Sequence, residues 1–333
     1  MTLPMGRAMR EVFGETVTEL ANDEPRIVML DGDLGSSTKG DIFQRAHPDR
    51  YFQMGLAEQN MLGVAAGMAS VGLIPFISTF VAFAVIRPLD QIRVLIAQPR
   101  LNVKITAGYV GVLTGRAGKT HIVVDDVSIM RAMPNMVTVS PADDTEAAQV
   151  LRWAASYEGP VYVRLVRDPT QHLFDTTYAF EFGTAVVLRD GSDVTLISTG
   201  AQTPRVIDAA DLLATQGIQA CVLHVPTIKP LDVPAIVRAA ERTGLVVTIE
   251  EHSVIGGLGG AVAETLSEHR PTPVTRLGLQ DVFGESATNE DLLDMYGLSA
   301  TRVADWVAAL MASATPASQP ITATRRTFSA SRA

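Results

Sequence analysis

The chain has 333 residues, 47% of them hydrophobic, and its 36 acidic side chains outnumber 27 Lys and Arg to leave a net charge of −9. That balance, with a pI near 5.2, excludes the basic footprint by which a nucleic-acid binder is recognised, and the length predicts about two domains at one per roughly 150 residues. One cysteine, Cys221, excludes an internal disulfide and fits a reduced, cytoplasmic setting, while the opening MTLPMGRAMREVF shows no apolar signal core.

In chain order, MREVFGETVTELAND (9–23) predicts an amphipathic helix and RIVMLDGD (26–33) a strand running into a polar turn. AEQNMLGVAAGMASVG (57–72) predicts a helix, LIPFIST (73–79) a strand, FVAFAVIRPLDQIRVLIAQ (80–98) a kinked helix and NVKITAG (102–108) a strand. MVTVSPADDTEAAQVLRWAASY (136–157) reads as strand, Ser-Pro turn and helix, and GPVYVRLVR (159–167) as a further strand. Alternation of this kind predicts an α/β domain with a mainly parallel sheet flanked by helices. Ligands of such sheets gather at the carboxyl ends of the strands, so the loops of interest begin at Asp31, Ser78, Gly108 and Arg167.

The polar RDPTQHLFDTTYAFEFG (167–183) separates this unit from a smaller α/β unit with strands in TAVVLRDGSDVTLISTG, IQACVLHV, LVVTIEEH and TPVTRLGL. Within it, RDGSD (189–193) reads as a hairpin turn. The expected domains are 1–183 and 184–313, and the Ala, Ser, Thr, Pro and Arg-rich residues 314–333 have the composition of a disordered tail. The run from Met61 to Ile86 is chargeless and long enough to cross a bilayer, but Gly63, Gly67, Gly72 and Pro75 punctuate it as helix, strand and helix. No membrane segment is expected. The mean hydropathy of +0.20 leans apolar, which suggests buried surface at a subunit interface.

Glu58 is the one charged residue between Arg50 and Arg87. A buried charge is costly unless something pairs with it. The residue is therefore a packing accident, a first-turn carboxylate complementing a helix dipole, or chemistry.

RYFQMGLAEQNMLGVAAGMASVGLIPFISTFVAFAVIRPLDQIR, followed by GKTHIVVDDVSIMRAMPNMVTVSPAD and later EEHSVIGGLGGAVAE, resembles the C-terminal half of transketolases. The likeness is nearest to the separate C-terminal subunit of split bacterial transketolases. It implies a pyrimidine-binding domain followed by a transketolase C-terminal domain, with thiamine diphosphate held between subunits. By that resemblance Glu58 is catalytic and binds the cofactor. It would hydrogen-bond N1′ of the aminopyrimidine and stabilise the imino tautomer that removes the thiazolium C2 proton, a task helped by apolar surroundings. Phe80 and Phe83 match the aromatics packed around the pyrimidine, with Phe83 the stacking face, and Asp33 falls among the implied cofactor residues. His121 matches a histidine near the donor hydroxyls, suited to moving protons as the ketose C2–C3 bond breaks. Arg10, Ser37 and Arg167 match residues holding the far end of the sugar, where a guanidinium fork suits a phosphate. Taken without the resemblance, Phe80 and Phe83 are ordinary core residues, His121 a loop histidine, and Arg10 and Arg167 surface ion-pair partners.

The chain departs from the pattern in the substrate region. An aspartate four residues before the motif histidine is Ala117, a histidine of the preceding loop is Tyr109, and Lys119 stands where a small residue or proline is frequent. Selectivity for a hydroxyl depends on polar groups waiting to meet it, so the cofactor chemistry is better supported than any one sugar. The Gly-Asp-Gly motif that holds diphosphate and Mg²⁺ has no convincing copy, which implies an N-terminal diphosphate-binding partner, inactivity alone, and an assembly of two copies of each chain. The alternatives are the β subunit of a 2-oxo acid dehydrogenase, a 1-deoxyxylulose-phosphate-synthase-like enzyme, and a non-catalytic scaffold.

Overall fold

The computed structural model describes residues 3–313; the expected tail at 314–333 lies outside the described residues. Strand β1 (Met5–Ala8) leads into the helix Met9–Asp23, whose buried face carries Met9, Val12, Phe13 and Val17. β2 (Ile27–Asp31), β3 (Tyr51–Gln53), β4 (Ile74–Phe80), β5 (Lys104–Gly108), β6 (Val137–Val139) and β7 (Val161–Leu165) form one parallel sheet in the order β6-β7-β5-β4-β2-β3. Every residue of β2, β4, β5 and β7 is buried. Strands covered on both faces read as unbroken apolar runs rather than alternations, which is why IVML and IPFI carry no polar period. β8 (Pro169–Gln171) pairs antiparallel with β1.

The second sheet contains β9 (Val186–Arg189), β10 (Val194–Ser198) and β11 (Ala220–His224). β12 (Thr227–Lys229) leaves it to extend the first sheet antiparallel to β6. β13 (Val246–Ser253) and β14 (Val274–Leu279) complete the order β14-β13-β10-β11-β9. The hairpin expected at RDGSD is therefore wrong. β11 lies between β9 and β10, and the turn wraps its start: the Ser192 and Asp193 amides both donate to Gln219 O at 3.0 Å, and a Cβ on Gly191 would lie 2.2 Å from the Ala220 carbonyl carbon.

The punctuation of the chargeless run is real. It forms the helix Glu58–Ser70, strand β4 and the start of an irregular helical stretch, and no helix among the described residues is long and apolar enough to cross a membrane. The kinked helix expected over 80–98 is a π-helical turn at Ala82–Ile86, a short α turn at Leu89–Gln91 and a second π segment at Ile92–Ala97. Pro88 removes an amide donor and breaks the ladder, and π turns are frequent at functional sites.

Register fixes where the loops meet. Asp31 lies beside Ser78, Phe80 beside Gly108, and Gly108 beside Leu165. The four loops of interest thus rise from one rim.

Candidate active site

Glu58 opens the helix Glu58–Ser70 after Ala57, which has non-helical backbone (φ −134°, ψ 57°). Its side chain is 3% exposed, and Arg87 Nη1 donates to Oε1 at 2.9 Å. The residue that ends the chargeless run is thus the one that pairs with its lone carboxylate. The pair stands in an open recess of about 550 Å³ lined by Leu56, Ala57, Gln59 and Asn60. A first-turn position also suits the helix dipole, so the capping reading and the chemical one converge on the same place.

The aromatic residues continue from there. Phe83 lies on the π turn with Arg87 Cζ 4.2 Å from its ring centroid. Phe80, at the end of β4, stacks on Phe83 at 6.0 Å between centroids and more closely on Tyr109 at 3.7 Å. His121 presents its edge to both phenylalanines, 6.0 Å from Phe80 and 5.3 Å from Phe83, with Nδ1 2.8 Å from Thr120 Oγ1. Tyr109 holds a left-handed backbone (φ +62°), a costly conformation for a bulky side chain that persists where surroundings impose it. Here the Thr114 hydroxyl donates to its carbonyl at 2.6 Å and Phe80 covers its ring.

Two guanidinium groups close the far end. Arg10 Nη1 donates to Ser37 O at 3.2 Å and to the Tyr109 hydroxyl at 3.3 Å, and Arg10 Nε is buried without a partner. Arg167 Cζ lies 5.5 Å from the Tyr109 ring, and Asp168 holds its Nη1 at 3.2 Å. The second domain braces this end. Asn289 Nδ2 donates to Asp168 Oδ2 at 2.9 Å, the Ser286 hydroxyl donates to Arg116 O at 2.8 Å, and Lys119 pairs with Glu285 at 2.8 Å.

Glu58, Phe83, Phe80, His121, Arg10, Ser37 and Arg167 therefore form one continuous track, with a carboxylate at one end and two cations at the other. Asp33 stands apart: it is exposed at a left-handed turn (φ +65°) with its amide on Gln53 Oε1. The buried carboxylate of that loop is Asp31, which accepts the Leu34 and Gly35 amides at 2.8 and 3.1 Å and is pushed up by burial. Its place at a strand's carboxyl end was the available signal. Asp168 gave none, and Arg87 only the end of a chargeless run, since their meaning lies in contacts 121 and 29 residues away.

A buried carboxylate facing a recess near a partly buried aromatic ring fits the pyrimidine half of a thiamine cofactor in its donor chemistry. Among the described residues one trio, Asp143, Asp144 and His172, has ligand atoms close enough for a cation. Its oxygens are already used: Asp143 accepts the Glu146, Leu173 and Phe174 amides, and Asp144 accepts the Arg7 amide and pairs with His172.

The sequence matches the models of the transketolase pyrimidine-binding domain over residues 5–171 and the transketolase C-terminal domain over residues 183–303. It is 41% identical to a 6-deoxy-6-sulfo-D-fructose transketolase subunit of Clostridium sp., covering 89% of this chain and 92% of that one. Identity to one of the apulose-4-phosphate transketolase subunits of Phocaeicola vulgatus is 38%, over 87% of this chain and 93% of that one. A solved split-gene transketolase, an inactive β4 tetramer, superposes with a TM-score of 0.84 at 45% identity, covering 92% of this chain and 99% of that one.

Proposed function

The chain belongs to the transketolase family, and from that premise we propose that it is the pyrimidine-binding subunit of a two-component thiamine-diphosphate transketolase, moving a two-carbon ketol unit from a ketose to an aldehyde. The observation that carries this reading is the buried Glu58 carboxylate opening a helix beside the Phe80–Phe83 stack. Bound thiamine diphosphate supplies the carbon nucleophile that carries the transferred unit. Glu58 would hydrogen-bond the aminopyrimidine and share a proton with it, Phe83 would offer a face for stacking, and Phe80 would back that face.

His121 sits edge-on to both rings, where an imidazole can give and take protons at the sugar hydroxyls. Arg10 and Arg167, with Ser37, bind the anionic end of the sugar. The two relatives named for their sugars support that assignment, since one is named for a sulfonated sugar and the other for a phosphorylated one. Diphosphate and Mg²⁺ are assigned to an N-terminal partner subunit, because the sequence has no convincing Gly-Asp-Gly motif and the candidate cation trio among the described residues is already hydrogen-bonded. The test is reconstitution. The purified chain with cofactor, Mg²⁺ and ketose should give no transfer, and adding a diphosphate-binding subunit should produce it. Steady turnover by the chain alone would refute the split.

A further inference from the structure

Arg87 has no place in the chemistry described so far, yet its guanidinium stands at the centre of the proposed pyrimidine seat. It follows Phe83 by four residues across the π-helical turn Ala82–Ile86, which returns its head over that ring. Cζ lies 4.2 Å from the Phe83 centroid while Nη1 donates to Glu58 Oε1 at 2.9 Å. A flat, delocalised cation therefore stacks on the aromatic face and donates to the buried carboxylate at the same time. An aminopyrimidine would make the same two contacts, its flat ring stacking on the aromatic face and its N1′ meeting the carboxylate through a shared proton.

We propose that in the free subunit Arg87 occupies the seat of the aminopyrimidine, and that cofactor binding must displace it. The inference rests on the reading of Glu58 and Phe83 given above. The side chain is 52% exposed, so its head enters the recess from the solvent side and has open space to return to. Arg87 holds the Glu58 rotamer and covers the aromatic face that the pyrimidine must take. It is a positioning residue that competes with the cofactor.

The contacts set the scale. A half-exposed ion pair together with a cation–π contact should lower pyrimidine affinity about tenfold. The experiment titrates the free full-length chain by calorimetry with the hydroxymethyl aminopyrimidine half of thiamine, and separately with thiamine diphosphate. Arg87→Ala should bind both about tenfold more tightly than wild type. Arg87→Lys, which keeps the charge and loses the plane, should fall between them. In wild type, guanidinium NMR signals of Arg87 should shift and its C–N rotation should quicken at saturating aminopyrimidine. Binding by a folded Arg87→Ala chain that is equal to or weaker than wild type, or absent, overturns the proposal, as do unmoved Arg87 signals at saturation. Adding Glu58→Gln to Arg87→Ala separates the two readings. If part of the gain from Arg87→Ala is lost, as the modest fall expected of Glu58→Gln implies, both stand; if aminopyrimidine binds the double variant as well as the single one, the assignment of Glu58 is at fault.

Discussion

His172 shows how much a single side chain can hold without leaving a trace in the pattern of the sequence. Its Nδ1 lies 2.8 Å from Asp144 Oδ1, and its amide donates to Pro4 O at 2.7 Å, so it clips the β1–β8 pair to the helix Asp144–Ser156. The hydrogen bond to Asp144 raises the pKa of His172, against an opposing contribution from burial. The native state therefore binds the proton more tightly than the unfolded chain. That stabilisation is full below the unfolded value of about 6.5 and is lost as pH rises through the higher native value. Melting temperatures between pH 5.5 and 8.5 should show wild type most stabilised over His172→Gln at the acidic end, with the gap closing upward. A gap that grows with pH would refute the clip. Other residues were easier to read. Glu58 announced itself because no other charge stands near it in sequence, and the aromatic pair and His121 came with the motifs. Arg87 appeared only as the end of a chargeless run, since a pairing 29 residues apart depends on how the π turn returns the chain.

At the scale of elements, the site depends on a rim shared by β2, β4, β5 and β7, and on a second domain leaning against it. The strands were legible because parallel strands buried on both faces leave continuous apolar runs. The short helices Gly35–Thr38 and Gly40–Ala46, the strand Tyr51–Gln53 and the helix Asp126–Ala132 were not, being too short for a period to show. The RDGSD turn misled because a turn signal names a change of direction and not the neighbour that results. EEH at 250–252 packs at the domain junction, where Glu250 accepts the Leu258 and Gly259 amides at 2.7 Å and His252 Nε2 accepts the Ser128 amide at 3.4 Å. The same junction passes through Asn289, Asp168 and Arg167. Losing one such hydrogen bond loosens Arg167 without touching the cofactor. Asn289→Ala should raise KM for sugars with an anionic end roughly 2- to 10-fold and leave kcat near wild type. Equal effects on anionic and neutral sugars, in steady-state kinetics of the assembled enzyme, would place the anion elsewhere.

For the whole molecule, the apolar composition has a visible outlet along the helix that Glu58 opens. Leu56 and Val71 are 72% and 78% exposed at the two ends of the helix Glu58–Ser70, and Gly63 and Gly67 leave its outer side nearly bare. A surface of this kind suits burial against another subunit. Sedimentation of the chain with its partner should therefore give a complex of about two copies of each, and a chain that stays monomeric in the partner's presence would contradict that. In the proposed mechanism Glu58 drives cofactor activation while the distant arginines hold the sugar. Deuterium exchange at C2 of thiamine diphosphate, followed by NMR in the reconstituted complex, tests it most directly. Gln at position 58 keeps the size and a hydrogen bond but has no acidic proton to share, so Glu58→Gln should slow exchange by orders of magnitude while cofactor affinity falls only modestly. Arg167→Ala should exchange at nearly the wild-type rate and raise KM for anionic sugars about 10- to 150-fold. Exchange at the wild-type rate in Glu58→Gln would contradict the account.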